Sequence, residues 1–237
     1  MKRIRCPRPP LTLDYDVAVI GAGVIGLACA ERLSRDGRSV IIIERHASFG
    51  LETSSHNSEV VHAGMYYPTG SLKARLCVAG NALLRAYCER HRVALAPVGK
   101  FIVATAHEEE SKLDEILARG VANGVIGLER VGRRFLAEHE PHVMATAALF
   151  SPNTAIVDSH GFMASLLADA RTNGCDVAFR HRVVGAAPCR VGYALRVQDD
   201  QGETSSLSAN IVINAAGLCS TTSRRSWGST WMRRGID

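Results

Sequence analysis

The 237-residue sequence has no CxxC pair. Its seven cysteines, at positions 6, 29, 77, 88, 175, 189 and 219, are an odd number and read as small hydrophobes of a reducing compartment rather than as a disulfide framework. Long hydrophobic runs are missing too. The longest glycine-and-apolar stretch, Val17 to Ala30, is shorter than a bilayer span and contains three glycines, so no membrane-crossing helix is expected. The first ten residues are basic but lack the apolar core and small-residue cleavage site of a secretory signal. Residues 1–13 are therefore read as a disordered basic extension, and a cytoplasmic location is expected. Strong charge of one sign is lacking in the body of the chain. The formal charge is +5, but Lys2, Arg3, Arg5 and Arg8 at one end and Arg224, Arg225, Arg233 and Arg234 at the other, less Asp237, exceed that total. The remainder is slightly acidic, which removes the support for a nucleic-acid partner.

What is present begins with a βαβ unit over residues 16–44: a strand Asp16 to Ile20, a glycine turn, a helix to about Asp36 stopped by Gly37, and a strand Ser39 to Glu44. The run Val40-Ile41-Ile42-Ile43 is continuously apolar and β-branched, as a central parallel strand covered on both faces requires. A GxGxxG pattern alone is a weak signal. Here Gly21-Ala22-Gly23-Val24-Ile25-Gly26 follows an apolar strand and opens a helix, and Glu44 ends the next strand. Gly21 permits the tight turn, Gly23 lets the backbone approach a pyrophosphate, and Gly26 lets helix and sheet pack closely. The helix N-terminus offers unpaired N–H groups and a positive dipole end to the diphosphate. Glu44 suits an adenosine ribose and repels a 2′-phosphate, disfavouring NADP. The unit by itself leaves FAD and NAD open.

A polar loop, Ser48 to Gly70, is too long for a mere connection. Ser71 then caps a helix running to about His91, with an expected apolar stripe of Leu72, Leu76, Ala79, Leu83 and Tyr87. From Val93 to Val157 come a strand (Phe101 to Thr105), a helix (about Glu108 to Asn123), a mixed segment and a short strand. Such a run suggests a second layer facing the ligand. Asp158 or Ser159 caps a helix, Phe162 to Asn173, stopped by Gly174, and strands at Val177 to Val183, Tyr193 to Gln198 and Ile211 to Asn214 return the chain to the first domain.

Two further stretches choose between the dinucleotides: Thr53-Ser54-Ser55-His56-Asn57-Ser58-Glu59-Val60-Val61-His62-Ala63-Gly64-Met65-Tyr66-Tyr67-Pro68, and Val212-Ile213-Asn214-Ala215-Ala216-Gly217. Together with Glu44-Arg45 and Ser71-Leu72-Lys73-Ala74-Arg75 they resemble the D-amino-acid oxidase superfamily of flavoproteins. Within it they are most similar to the L-2-hydroxyglutarate dehydrogenase or oxidase branch, from about Leu13 to Leu218. The resemblance implies an α/β fold: a glutathione-reductase-like, Rossmann-type FAD-binding domain over residues 14–92 and 158–218, with an interleaved, truncated α+β substrate domain over 93–157. It implies FAD as cofactor, beside Thr53, Ser54, Ser55, Asn57, Ser58 and the turn Ala215-Ala216-Gly217, with the backbone of Val183, at the end of a third strand, facing the adenine. It implies oxidation of a small 2-hydroxy acid, L-2-hydroxyglutarate to 2-oxoglutarate, by hydride transfer to flavin N5. Electrons then pass to a quinone, another acceptor or oxygen, and the full-length form has room for a peripheral membrane contact. An amine or glycerol-3-phosphate oxidoreductase, and a catalytically dead remnant, are the alternatives.

His62 is the candidate base, because an imidazole titrates near neutrality and can accept a substrate hydroxyl proton; the competing role is packing against the ring. Tyr66 and Tyr67 divide between substrate contact and core. Lys73 and Arg75 carry charge suited to a dicarboxylate, against a solvated or structural role. Glu138-His139-Glu140-Pro141-His142 offers metal-type ligands whose spacing Pro141 interrupts, and no metal is expected. Residues 219–237 have no apolar period and hold both tryptophans. They are read as an aberrant, frameshifted tail beginning near Ser220, which would leave this an incomplete form of low stability.

Overall fold

The structure, a computed structural model, describes residues 13–221. In chain order its strands and α-helices are β1 (Tyr15–Ile20), α1 (Val24–Arg35), β2 (Val40–Ile43), β3 (Val60–Val61), α2 (Leu72–His91), β4 (Leu95–Ala96), β5 (Phe101–Ala104), α3 (Glu110–Ala122), β6 (Glu129–Gly132), α4 (Arg133–His139), β7 (Ala147–Phe150), β8 (Ala155–Val157), α5 (Ser159–Thr172), β9 (Asp176–Ala178), β10 (Arg182–Pro188), β11 (Tyr193–Gln198) and β12 (Thr204–Asn214). They divide into two units, one up to Asn57 and from Ser159 onward, the other Ser58–Asp158. The basic extension expected over residues 1–13 and the aberrant tail expected over 219–237 fall largely outside the described residues. Among the described residues no helix is long and apolar enough to cross a membrane.

The first unit is the α/β architecture that the glycine turn called for. Its sheet has the order β10-β11-β12-β1-β2-β9. β12, β1, β2 and β9 are parallel neighbours, while β10, β11 and β12 are joined antiparallel. All four residues of β2 are buried, as a strand covered on both faces must be. On one side α1 lies against β1, β2 and α5, burying Leu27 and Ala30 with Met163, Leu166, Leu167 and Ala170 of the partner helix. On the other, Ala18, Ile20, Ile41 and Ile43 pack with Val183, Ala186, Leu195 and Val197 of the antiparallel extension. Each such aliphatic side chain removed from water contributes about 1.5–3 kcal/mol before conformational entropy is charged.

The second unit is built from two three-stranded antiparallel sheets, β3-β8-β4 and β5-β7-β6. Ser71 caps α2 as its position promised, its side chain accepting from the Ala74 amide at 3.2 Å. α3 places Leu113, Ile116 and Leu117 against Ala104, Ala147 and Leu149 of the second sheet. Leu136 of α4 closes another cluster with Val131, Ala145 and Ala148, ringed by Phe101, Phe135 and Phe150.

Three sequence expectations are corrected. The stripe on α2 is reversed: Leu72, Leu76 and Leu83 are 65%, 61% and 70% exposed. The buried face carries Ala74, Asn81 and Cys88, with Leu84 beside them. Asn81 is buried because its Nδ2 donates to the carbonyls of His62 and Asn153, a pairing that hydrophobic periodicity does not register. The strand expected over Val177 to Val183 is two strands at opposite edges of the sheet, β9 on β2 and β10 on β11. Arg180 divides them with φ +58°, its amide bonded to the His46 carbonyl. Finally, α5 starts at Ser159 rather than Phe162.

The tightest approach in the first unit is where α1 leaves the turn. A Cβ on Gly26 would stand 2.0 Å from the Gly21 carbonyl oxygen, a backbone atom. Gly26→Ala is therefore expected to lower stability by about 1–3 kcal/mol or more, read as a fall in the urea midpoint at unchanged slope. Equal midpoints would contradict this packing.

Candidate functional site

The carboxyl ends of parallel strands are where ligands bind in open α/β sheets, and in the first unit four segments converge there. The turn after β1 is the first. Gly21 has φ +101°, and a Cβ on it would meet the Ala215 carbonyl oxygen at 2.7 Å. Gly23 is the N-cap of α1, extended and without a side-chain acceptor. Ser54 Oγ accepts from the Val24 amide at 3.1 Å, and the Leu27 amide bonds to the Gly23 carbonyl. The amides of Gly23, Ile25 and Gly26 have no acceptor among the described residues. Three free N–H groups at the positive end of a helix are a donor set for a phosphate anion. The Ile25 side chain itself is exposed.

Glu44, directly after β2, is the second segment. Its buried carboxylate accepts from the Ala22 amide at 2.7 Å through Oε2 and from the His46 amide at 2.9 Å through Oε1. Each oxygen retains acceptor capacity for a hydroxyl. The third segment is the single turn Thr53–Ser55. It is tied down by Ser55 Oγ on the Glu52 carbonyl and Asn57 Nδ2 on the Ser54 carbonyl, each at 2.9 Å. Arg45 forms an ion pair with Glu52, whose carboxylate also lies 2.6 Å from His46 Nε2. Those two partners, His46 first and then Arg45, hold the Glu52 carboxyl below the usual range. The fourth segment follows β12. The Ala215 amide bonds to the Ile20 carbonyl, the Ala216 amide to Asn214 Oδ1, and Gly217 turns the chain at φ +53°.

Val183 stands apart from its expected place. It is the second residue of β10, paired with Val197 and buried against Ile41 and Ile43, instead of ending a third strand.

Ser58, His62 and Tyr66 belong to the second unit. Ser58 is exposed. His62 directly follows β3, and its carbonyl accepts from Asn81 Nδ2 at 3.1 Å. The segment beyond it is anchored by Met65, buried with Ala63 and Val125, and by Asn123, whose Nδ2 donates to the carbonyls of Gly64 and Tyr67 at 3.0 and 2.9 Å. Two ammonium groups sit over the adjoining rings. Lys100 Nζ is 4.8 Å from the Tyr66 centroid and Lys73 Nζ is 4.5 Å from that of Tyr67. Partial burial lowers the His62 pKa most, and the charges of Lys100 and Lys73 lower it further. Lys100 was not singled out by sequence reasoning, because a lone lysine between Gly99 and β5 carries no periodic or motif signal. In the Glu138 to His142 segment, Glu138 pairs with Arg134 and His139 Nδ1 lies on the Phe135 carbonyl, contacts local to α4.

Residues 16–233 match the family described as FAD dependent oxidoreductase, a match that runs past Leu218, the expected end of the resemblance. The mitochondrial L-2-hydroxyglutarate dehydrogenase of Arabidopsis thaliana is 48% identical over 152 residues, 64% of this chain and 32% of that protein. The Homo sapiens protein of the same name is 32% identical over 224 residues, 90% of this chain and 48% of that one. The chain thus spans about a third to a half of these curated relatives. Among solved structures, an FAD-bound L-α-glycerophosphate oxidase from Mycoplasma pneumoniae aligns with a TM-score of 0.77 at 26% identity, covering 84% of this chain and 53% of that one. Glycine oxidase from Geobacillus kaustophilus aligns with a TM-score of 0.75 at 24% identity, over 86% of this chain and 55% of that one, and shares the fold.

Gly23→Val is expected to abolish flavin binding while leaving the fold intact, because a branched side chain fills the space above the turn, where even a Cβ would lie 3.0 Å from Ser54 Oγ. Flavin released on denaturing the two proteins, purified alike, is the measurement. Equal content would remove the turn from the site.

Proposed function

Because the chain belongs to the FAD dependent oxidoreductase family, we propose that it binds FAD in the first unit and serves the oxidation of a small 2-hydroxy acid, L-2-hydroxyglutarate to 2-oxoglutarate. The observation that carries the reading is the convergence of the free turn amides, the Glu44 carboxylate, the Ser54 hydroxyl and the Ala215–Gly217 turn at the carboxyl ends of parallel strands. Those donors and acceptors fit a dinucleotide: amides for the diphosphate, a carboxylate for ribose hydroxyls, and small residues where a backbone must lie close. Thr53, Ser55, Asn57 and Ser58 supply the polar rim, and Arg45, paired to Glu52, holds the loop between Glu44 and that rim. Val183 contributes through its strand backbone. FAD, when bound, supplies the two-electron acceptor.

The substrate assignment follows the L-2-hydroxyglutarate dehydrogenases that the chain matches at 32% and 48% identity. In this reading the cofactor domain comprises residues 14–92 and 158–218, a span wider than the first unit, and residues 93–157 form the substrate-facing layer. Oxidising a secondary alcohol removes a hydride from carbon and a proton from oxygen, and His62 takes the proton. Its lowered pKa suits that role, since the imidazole stays neutral, and able to accept, to a lower pH than usual. Tyr66 hydrogen-bonds the substrate. The electron acceptor is a quinone, another acceptor or oxygen. The relatives' names place them in mitochondria, so the cytoplasmic expectation gains no support from them.

His62→Ala is expected to keep its flavin but to slow anaerobic flavin reduction by L-2-hydroxyglutarate by about 100-fold or more. An unchanged reduction rate would make His62 a packing residue. In the wild type, the second-order rate of flavin reduction at low substrate should rise with pH through a limb lying below the ordinary imidazole range, since protonated His62 in the free protein cannot accept. A limb at or above that range would contradict the lowering by partial burial and the two lysines.

A further inference from the structure

In the second unit Lys73 and Lys100 lie on different elements and are brought to the same pair of adjacent tyrosines. Lys73 is in the first turn of α2, a turn without an acidic residue, so a cation stands at the end of the helix that favours anions. Lys100 is held directly before β5. Its amide donates to the Ser151 carbonyl at 3.0 Å and its carbonyl accepts from the Ser151 amide at 2.8 Å, with Ser151 fully buried. The tyrosines are fixed through Asn123 and the buried Met65. Neither lysine has a carboxylate within ion-pair distance among the described residues. The charges of both lysines act on His62, and such a constellation, with no ion-paired carboxylate among the described residues, attracts an anion. The ring faces leave ammonium N–H groups available for a further acceptor, and the phenol hydroxyls are additional donors.

We propose that Lys73, Lys100, Tyr66 and Tyr67 form a carboxylate receptor that selects dicarboxylic over monocarboxylic 2-hydroxy acids. This rests on the reading that His62, beside the receptor, accepts the substrate proton: one carboxylate of the acid is held by the ammonium pair while the hydroxyl is presented to the imidazole. Flexible ammonium groups with phenol donors suit a carboxylate of variable pose, whereas the rigid guanidinium fork is absent from the pair.

The test uses the full chain and equilibrium binding, with no turnover required. Glutarate, butyrate and inorganic phosphate are titrated by calorimetry, while the His62 ring protons are followed by NMR. Glutarate should bind about tenfold tighter than butyrate and raise the His62 pKa, because an anion among the lysines favours the imidazolium. Lys100→Met and Lys73→Met should each weaken glutarate binding by about tenfold and raise the His62 pKa in the free protein, while Lys100→Arg keeps binding. Equal affinity for glutarate and butyrate, or glutarate binding unaffected by both methionine variants, overturns the receptor. Phosphate bound more tightly than glutarate overturns the carboxylate assignment. If the receptor stands but His62→Ala reduces flavin at the wild-type rate, the proton-acceptor reading fails and the receptor does not.

Discussion

The first unit depends on how closely the backbone approaches itself at the glycine turn. Gly26 has no room for a side chain beside the Gly21 carbonyl, and Gly21 has none beside the Ala215 carbonyl. Those two approaches bring the start of α1, the end of β1 and the end of β12 together. Once they meet, the amides of the first helical turn are presented as a group, and the Glu44 carboxylate locks the arrangement by accepting from the Ala22 amide. A polar side chain cannot substitute for this geometry, because the requirement is for absent atoms. The donor set proposed for the nucleotide is thus a consequence of packing, with the parallel sheet supplying the rigid frame.

The second unit solves a different problem, holding the side chains proposed for catalysis on a segment with little regular structure. β3 is only two residues long, and the chain then runs through His62, Tyr66 and Tyr67 to Ser71. Asn81 and Asn123 replace the missing ladder by donating to the carbonyls of His62, Gly64 and Tyr67. Asn123 Oδ1 is buried without a partner among the described residues, so this anchor leaves one unsatisfied acceptor. Removing the amide would release the segment carrying both tyrosines. Lys100, pinned to Ser151, and Lys73, on the first turn of α2, then set the electrostatics around the imidazole.

The glycine unit, the two strands flanking it and the Ser71 cap were legible in the sequence because each is a local requirement written in residue type. The face of α2 was not. Asn81 counts as polar in any periodicity, yet it is buried because the carbonyls of His62 and Asn153 satisfy it. The break between β9 and β10 was hidden because Arg180, not glycine or asparagine, takes the positive φ. The two lysines were only half visible: Lys73 could be weighed on its helix, but Lys100 comes over Tyr66, next to the Tyr67 that Lys73 covers, only after β5 pairs with β7.

The central claim is that the adenosine diphosphate half of FAD is what the first unit recognises, through the turn amides and Glu44. The most direct measurement is a fluorescence titration of the purified chain with FAD and with FMN, followed by displacement of FAD with ADP. The account predicts that FAD binds, that ADP competes with it, and that FMN, which lacks the adenosine half, binds far more weakly. FMN binding as tightly as FAD, or ADP failing to compete, would contradict it.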